Sequence, residues 1–313
     1  MWSKPDPARW QGRLDSEEVG DVRRWHQQVR CERTANGVGI ALLGFACDAG
    51  VKRNHGRPGA HKGPQVIRQA LANLAWHGAD KTVLDAGDVV CEGNDLEAAQ
   101  AELAVMVDSL LAEGHFPIVL GGGHEIAFGT FSGLARYLGN YHQVPHIGII
   151  NLDAHFDLRL AREANSGTPF RQIAESCEAH GWPFHYACFG VAEPSNTEAL
   201  FARAHELGVS YRLDEDMGVA QLLPTLQQLQ QFIAKVDHIY LTIDIDVLPA
   251  YQAPGVSAPA ARGVALEVVE AIVDMVKASG KLRVADLAEL NPEFDIDHRT
   301  AKTAARLVYR LSK

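Results

Sequence analysis

The chain has 313 residues, of which 47% are hydrophobic and 22% are charged, and its formal net charge at pH 7 is -10. This length and apolar fraction suffice for one large domain or two ordinary ones with a sizeable core. The excess of 39 acidic over 29 basic residues argues against nucleic acid or an anionic membrane as the main partner. The sequence shows neither a signal peptide nor a transmembrane run. We therefore expect a cytoplasmic protein whose five cysteines are reduced.

The predicted elements alternate between strand and helix from Val38 onward. Residues 1–36 are polar and are expected to form an N-terminal arm, and residues 37–313 a single domain. Predicted strands span 38–45, 82–87, 116–120, 146–150, 184–190, 209–211, 240–246 and 282–287. Predicted helices span 64–76, 95–113, 126–137, 197–207, 221–236, 266–279 and 298–311, with loops over 48–63 and after Asp157. This order predicts a three-layer α/β/α sandwich with a mostly parallel sheet of about eight strands.

One stretch after the strand at 146–150 carries unusual chemistry: Asn151-Leu-Asp-Ala-His-Phe-Asp-Leu-Arg159. Side chains alternate along an extended strand, so Asp153, His155 and Asp157 are predicted to point the same way. Carboxylates are almost never buried unless they are paired or bind a metal. Core packing therefore explains this pattern poorly, and a ligand site explains it well.

Two further strands end in the same kind of residue. The strand at 116–120 runs into Gly121-Gly-Gly-His-Glu125, and the strand at 240–246 contains Asp244 and Asp246. Ligands of parallel sheets collect outside the carboxyl ends of the strands, so we expect the three stretches to meet. The candidate ligands are His124, Asp153, His155, Asp157, Asp244 and Asp246. Four carboxylates with two imidazoles predict a two-metal hydrolytic site, whereas the alternative is a set of buried polar residues satisfied by backbone groups.

The three motifs, in this order and at this separation, resemble the signatures of the arginase/agmatinase/formimidoylglutamase (ureohydrolase) family from about Val38 to the C-terminus. The resemblance implies an α/β/α fold and two Mn²⁺ ions per subunit. It assigns one ion to His124, Asp153, Asp157 and Asp244, and the other to Asp153, His155, Asp244 and Asp246. By the same resemblance, Asp153 and Asp244 bridge the ions, and a hydroxide held between the ions attacks a carbon that bears nitrogens.

Departures from the commonest motifs narrow the choice within the family. Arginases and agmatinases usually carry Gly-Gly-Asp-His-Ser where this chain has Gly-Gly-Gly-His-Glu, and an Asp-Pro pair where it has Val247-Leu-Pro. Ser166 stands where the family usually has a His that serves the leaving amine. These changes are similar to the formimidoylglutamase branch. That branch implies hydrolysis of N-formimidoyl-L-glutamate to L-glutamate and formamide in histidine breakdown.

Two alternatives remain open at this point. One is a guanidino-acid or agmatine-type ureohydrolase that releases urea, and the other is a metal-binding family member without catalysis. For the hydrolase, the resemblance implies catalytic roles for Asp157 and for Glu289, which matches the family position that faces the amidine nitrogens. The plainer interpretation of Glu289 is a strand-end carboxylate that caps a loop.

A substrate built on glutamate brings two carboxylates into an acidic site, so the rim is expected to supply cations. Arg57 and Arg159 are the candidates, because an arginine fork matches carboxylate geometry; ordinary solvated loop charge is the alternative. Asn165 and Ser166 complete the predicted substrate-binding residues. We also expect a homo-oligomer.

Overall fold

A computed structural model describes residues 1–31, 37–78, 81–140 and 144–313. Ten strands of this part of the chain form one sheet. They are β1 (Trp2–Ser3), β2 (Val29–Arg30), β3 (Ile40–Ala46), β4 (Val83–Val90), β5 (Phe116–Leu120), β6 (Ile147–Leu152), β7 (His185–Val191), β8 (Ser210–Leu213), β9 (His238–Asp244) and β10 (Leu282–Ala288). The strand order is β1-β4-β3-β5-β10-β9-β6-β7-β8, with β2 also paired to β4. Strands β3 to β10 are parallel, which confirms the predicted sheet of about eight strands.

Helices cover both faces of the sheet. They are α1 (Ala49–Arg53), α2 (Gly63–Ala72), α3 (Leu96–Ala112), α4 (Ile126–Gly139), α5 (Pro169–His180), α6 (Glu198–Glu206), α7 (Leu222–Ile233), α8 (Leu266–Ala278) and α9 (Arg299–Ser312). Successive residues of a strand face opposite sides, so Leu42 of β3 belongs to the core cluster that includes α2, α8 and α9, while Leu43 belongs to the cluster that includes α3 and α4. The strands are near-continuous apolar runs because both of their faces are buried. The predicted three-layer sandwich is confirmed.

The sheet order positions the site. Strands β5, β10, β9 and β6 are direct neighbours although they lie far apart in the sequence. Because they are parallel, their carboxyl ends open side by side at one edge of the sheet. Each of the candidate ligand motifs follows one of these four strands.

The structure corrects three details of the predicted elements. Helix α1 lies inside the predicted loop at 48–63, and its five residues are too few for an apolar period to show. Helix α5 lies in the predicted loop after Asp157, although Pro169 at its first position is a recognisable start signal. Strand β9 ends at Asp244 rather than at Asp246, because a 3₁₀ turn over Ile245–Val247 follows it.

The first 31 residues are fastened to strand β4. Strand β1 pairs with β4 antiparallel, and the Trp2 indole N–H donates to the Ala86 carbonyl at 2.8 Å. The Trp10 indole N–H donates to the buried Asp85 carboxylate at 2.8 Å. Residues 32–36 lie outside the described residues, so the predicted boundary of the arm stays a prediction. None of the described helices is long and apolar enough to cross a membrane.

A buried ion-pair network under the arm predicts a large effect on stability. Arg68 is fully buried and donates to Asp85 at 2.8 Å and to Asp88 at 2.7 Å. Arg68→Met leaves the buried Asp85 without a cation and leaves Asp88 with Arg9 alone, so we expect it to cost about 3–5 kcal/mol in the free energy of unfolding, measured by urea denaturation. The control is Lys62→Met, whose partner Glu293 is half exposed and whose loss should cost less than about 1 kcal/mol. Equal losses for the two variants would contradict the prediction.

Candidate metal centre

Four of the predicted ligands converge on one point. His124 Nδ1 lies 3.0 Å from Asp153 Oδ2, 2.9 Å from Asp157 Oδ2 and 3.3 Å from Asp244 Oδ2. All four side chains are buried, and their ligand atoms lie within 4.8 Å of one another. His124 Nδ1 has no hydrogen-bond partner although water does not reach it. A cation is the partner that this donor set would satisfy.

A second group of ligands shares Asp153 with the first. His155 Nδ1 lies 3.5 Å from Asp153 Oδ1 and 3.2 Å from Asp246 Oδ2. Asp153 therefore turns one oxygen to each group, as a bridging carboxylate must. Asp244 belongs to the first group alone in this geometry, and its Oδ1 accepts the Asp246 backbone N–H at 2.9 Å. The bridging role of Asp244 stays a prediction. The donor set fits two hard divalent ions.

The ligands meet for a different reason than strand alternation. Strand β6 ends at Leu152, so the trio from Asp153 to Asp157 lies in a loop and the same-face prediction is wrong in its cause. Asp157 has φ +49°, a left-handed conformation that turns its side chain back toward His124. Left-handed backbone at a residue with a side chain costs free energy and is concentrated at functional sites.

The buried carboxylates of the cluster shift one another's pKa and the pKa of His124. Burial lowers the pKa of His124, but the three surrounding carboxylates outweigh burial, and the net pKa lies well above its ordinary value. Burial raises the pKa of Asp244, and the neighbouring Asp246 and Asp153 raise it further. A divalent ion must therefore displace protons when it binds.

Behind His124 lies a polar contact that the sequence analysis missed. His124 Nε2 lies 3.0 Å from the Thr242 hydroxyl. The Thr242 hydroxyl also interacts with Asp286: burial raises the pKa of Asp286, and the hydrogen bond with Thr242 partly opposes this rise. Such contacts fix the ring of a metal-binding histidine. Thr242 stands two residues before Asp244 on β9, so strand alternation was the signal that could have found it.

Glu289 makes the loop contact that its plainer interpretation predicts, and its catalytic role stays a prediction. It follows β10 with φ +67°, and its Oε1 accepts the His124 backbone N–H at 2.8 Å, so it does fasten the loop. Its Oε2 is buried, has no hydrogen-bond partner, and belongs to a side chain that lines the cavity over the cluster. Burial raises the pKa of Glu289 well above its ordinary value, and the neighbouring Asp244 and Glu125 carboxylates add to this rise.

A cavity of about 310 Å³ opens over the ligands. Besides Glu289 and all the ligands except Asp153, the side chains that line it include Asn54, Arg57, Arg159, Ser166 and Ser257. Asn165 is buried and is not among the lining residues; its side-chain oxygen accepts the Gly167 N–H at 2.9 Å and shapes the turn that carries Ser166. The structure therefore brings Ser166, but not Asn165, to the cavity.

The two arginines predicted to bind substrate carboxylates, Arg57 and Arg159, differ in the contacts that they make within the protein. Arg57 donates from Nε to the Ser257 carbonyl at 2.8 Å and from Nη2 to the Val256 carbonyl, and its guanidinium lies 4.1 Å from the centre of the Phe294 ring. Arg159 is exposed, and within the described part of the chain its guanidinium has no hydrogen-bond or ion-pair partner. Arg159 is therefore the cation free to meet a ligand.

Gly123 of the first motif and Gly50 make room for Glu125. The Glu125 side chain is fully buried, and its Oε1 accepts the Gly50 N–H at 2.8 Å. A Cβ on Gly123 would stand 2.1 Å from Glu125 Oε2, and a Cβ on Gly50 would stand 2.5 Å from its carboxyl carbon. The Glu125 carboxylate thus takes the space that a side chain at position 123 would need.

Fold and ligand geometry together define a class of binuclear metallohydrolase, and the chain belongs to the arginase family, whose model matches residues 38–312. It is 58% identical over 315 residues to formimidoylglutamase from Ralstonia nicotianae, covering 99% of this chain and 96% of that protein. It is 57% identical to formimidoylglutamase from Aeromonas hydrophila, covering 98% of both. The structure of Trypanosoma cruzi formiminoglutamase with Mn²⁺ is similar, with a TM-score of 0.78, 25% identity and coverage of 88% and 92%. The resemblance found in the sequence is confirmed.

The shared carboxylate gives a prediction about metal content. Asp153→Asn should leave less than one tightly bound ion per chain and almost no activity, because both ligand groups use Asp153. Asp246→Asn is the matched control, because Asp246 belongs to the second group only and the first ion should remain. Elemental analysis after Mn²⁺ reconstitution and desalting measures both. Two retained ions in Asp153→Asn would refute the bridging assignment.

The pKa shift of His124 gives a prediction about pH. A group whose pKa is raised carries a proton until the pH exceeds that raised value, so metal and proton compete for His124 below it. We expect the affinity for Mn²⁺ to fall as the pH is lowered from about 8 to about 6.5. Calorimetric titration in two buffers of different ionisation enthalpy should detect proton release on binding. An affinity independent of pH, without proton release, is the contrary result.

Proposed function

We propose that the chain is a manganese-dependent formimidoylglutamase, which hydrolyses N-formimidoyl-L-glutamate to L-glutamate and formamide in histidine breakdown. The observation that carries the proposal is the opposite charge at two ends of one cavity. Carboxylates and the free Oε2 of Glu289 lie at its inner end, and the unpartnered guanidinium of Arg159 lies at its rim. A formimino group is cationic and glutamate is a dicarboxylate, so the substrate has the complementary charges.

The two ligand groups would hold two Mn²⁺ ions, and these ions would supply hydroxide near neutral pH by lowering the pKa of water. Glu289 accepts hydrogen bonds from the formimino nitrogens through Oε2 and orients the formimino carbon. Asp157 is the most exposed of the four carboxylates, at 9%, and can exchange a proton with the cavity. Arg159 binds a substrate carboxylate at the rim, where Ser166 also contacts the substrate.

The charge of the rim separates this function from its nearest alternative. Agmatine is cationic at both ends, so the Arg159 guanidinium would repel its ammonium group. A guanidino acid carries one carboxylate and would meet Arg159 favourably. The products distinguish the two, because a guanidino substrate releases urea and a formimino substrate releases formamide.

The experiment that tests the proposal is a substrate panel with the Mn²⁺-loaded chain. Formimidoylglutamate, 4-guanidinobutanoate and agmatine are compared, and formamide, urea and ammonia are measured. We expect formamide from formimidoylglutamate to dominate. Urea as the main product would favour the guanidino-acid alternative, and no turnover of any substrate would favour a non-catalytic metal-binding protein.

We also propose a cytoplasmic homo-oligomer. Cys47, Cys91, Cys177 and Cys188 are free thiols, and three of these four are buried, as expected in a reducing compartment. Size-exclusion chromatography with light scattering tests the oligomeric state. The proposed partner is the small dicarboxylate substrate, and neither nucleic acid nor a membrane is part of the proposal.

The free guanidinium predicts a binding defect. Arg159→Ala should raise KM for formimidoylglutamate by about 10- to 100-fold, because a charge-assisted hydrogen bond is worth about 1.5–3 kcal/mol, and should leave metal content and stability unchanged. The matched control is Arg162→Ala, an exposed arginine of the same loop that does not line the cavity.

Arg57→Ala is expected to behave differently from Arg159→Ala. It leaves the carbonyls of Val256 and Ser257 without their donor, so it should also lower the free energy of unfolding by about 1–3 kcal/mol. Steady-state kinetics and urea denaturation separate the two variants. A wild-type KM in Arg159→Ala would show that Arg159 does not bind the substrate.

A further inference from the structure

Asn54 contacts the residue that stands in place of the family histidine. Asn54 follows helix α1, and its side-chain Nδ2–H donates to the Ser166 hydroxyl oxygen at 3.1 Å. Both side chains line the 310 Å³ cavity over the metal ligands. The contact joins two loops that are 112 residues apart in the sequence. From the sequence, Arg57 was predicted to bind substrate, whereas Asn54, three residues earlier, was not.

The loop around Ser166 is rigid, so this contact has a defined direction. The Asn165 and Thr168 side chains cross-brace the turn: the Asn165 backbone N–H donates to Thr168 Oγ1 at 3.0 Å, and the Gly167 N–H donates to Asn165 Oδ1 at 2.9 Å. The Arg159 backbone N–H donates to the Gly167 carbonyl at 2.8 Å. Ser166 is 9% exposed and therefore has little freedom to move.

The number of donors and acceptors in a hydroxyl group determines the direction in which the Ser166 O–H bond points. A serine hydroxyl has one proton and two lone pairs, and here the Asn54 amide occupies one lone pair. Asn54 Nδ2 cannot accept a hydrogen bond, so the Ser166 proton points elsewhere. In the described residues no protein group accepts this proton, and the cavity is the open space next to it. We propose that Asn54 is a positioning residue that directs the Ser166 O–H into the cavity as a hydrogen-bond donor to a substrate carboxylate.

Arg159 supplies a second hydrogen-bond donor on the side of the cavity that carries Ser166, which is called the Ser166 wall below. A Cβ on Gly167 would stand 2.7 Å from Arg159 Cδ, 3.2 Å from Arg159 Nε and 3.2 Å from Asn54 Nδ2. The arginine and the asparagine therefore both pass over Gly167, beside Ser166. A carboxylate has two oxygens and accepts two donors, and a hydroxyl beside a guanidinium offers this pair. The inference rests on the proposed function, because it assigns one carboxylate of the formimidoylglutamate substrate to the Ser166 wall.

A double-mutant cycle tests the direction of the hydroxyl. Asn54→Asp keeps the shape of the side chain but turns its donor into an acceptor, so the Ser166 proton is drawn away from the cavity. We expect KM for formimidoylglutamate to rise by about 10- to 100-fold while kcat changes less. In the Ser166→Ala background the same substitution should have little further effect on KM. The added negative charge acts in both backgrounds, so the cycle cancels it.

A control separates positioning from simple loop bracing. Arg53 also joins α1 to this loop, since its Nη1–H donates to the Ala164 carbonyl at 3.0 Å, but it does not contact Ser166. Arg53→Met should therefore change KM equally with Ser166 and with Ala at position 166. Equal changes for Asn54→Asp in the two backgrounds would overturn the proposal. If Asn54→Asp fails to fold, Asn54→Ala completes the same cycle.

One-carboxylate substrates test the assignment of the acceptor. N-formimidoyl-2-aminobutanoate lacks the side-chain carboxylate, and 4-(formimidoylamino)butanoate lacks the α-carboxylate. We expect the coupling between Asn54 and Ser166 to vanish with one of the two and to persist with the other. Coupling that persists with both would overturn the carboxylate assignment. Absent formamide production by the wild-type chain would instead overturn the proposed function, so the two failures are distinguishable.

Discussion

Four carboxylates are buried together at the carboxyl ends of the strands, and the contacts around the site depend on the need to compensate their negative charge. Asp153 and Asp244 are almost completely buried, and repulsion from Asp246 and Asp153 raises the pKa of Asp244 beyond what burial alone does. Placing such charges inside a protein costs several kcal/mol each unless cations or hydrogen bonds compensate. The surrounding structure is arranged accordingly: Asp246 donates its backbone N–H to Asp244, and Thr242 fixes His124 from behind.

The order of the parallel strands brings these carboxylates and their partners together into one site. Strands β5, β10, β9 and β6 lie side by side, so residues as distant in sequence as His124 and Glu289 touch through a 2.8 Å hydrogen bond. The strand bodies are apolar and pack between two helix layers, which leaves their carboxyl ends free to carry polar side chains. Substrate recognition is left to the loops above, where Arg159, Ser166 and Asn54 lie.

The sequence allowed the layers, the sheet and the six candidate ligands to be predicted, because strand periodicity and motif spacing are local signals. It misled about Asp157, since only the three-dimensional fold reveals that a left-handed residue, and not strand alternation, brings its carboxylate to His124. It could not separate Arg57 from Arg159. The contacts that occupy Arg57 come from Val256, Ser257 and Phe294, about 200 residues away or more, and pattern carries no information about such pairs.

The space shared by Gly123 and Glu125 has a consequence for how the first motif can diverge. A side chain at position 123 and a glutamate at position 125 compete for one buried volume. Passing from Gly-Gly-Gly-His-Glu to Gly-Gly-Asp-His-Ser one residue at a time places either two carboxylates in that volume or none. Each intermediate is unfavourable, through overpacking and charge repulsion in one case and through a cavity and an unpaired Gly50 N–H in the other. Positions 123 and 125 are therefore coupled through one buried volume, and a substitution at either should be tolerated better when the other changes with it.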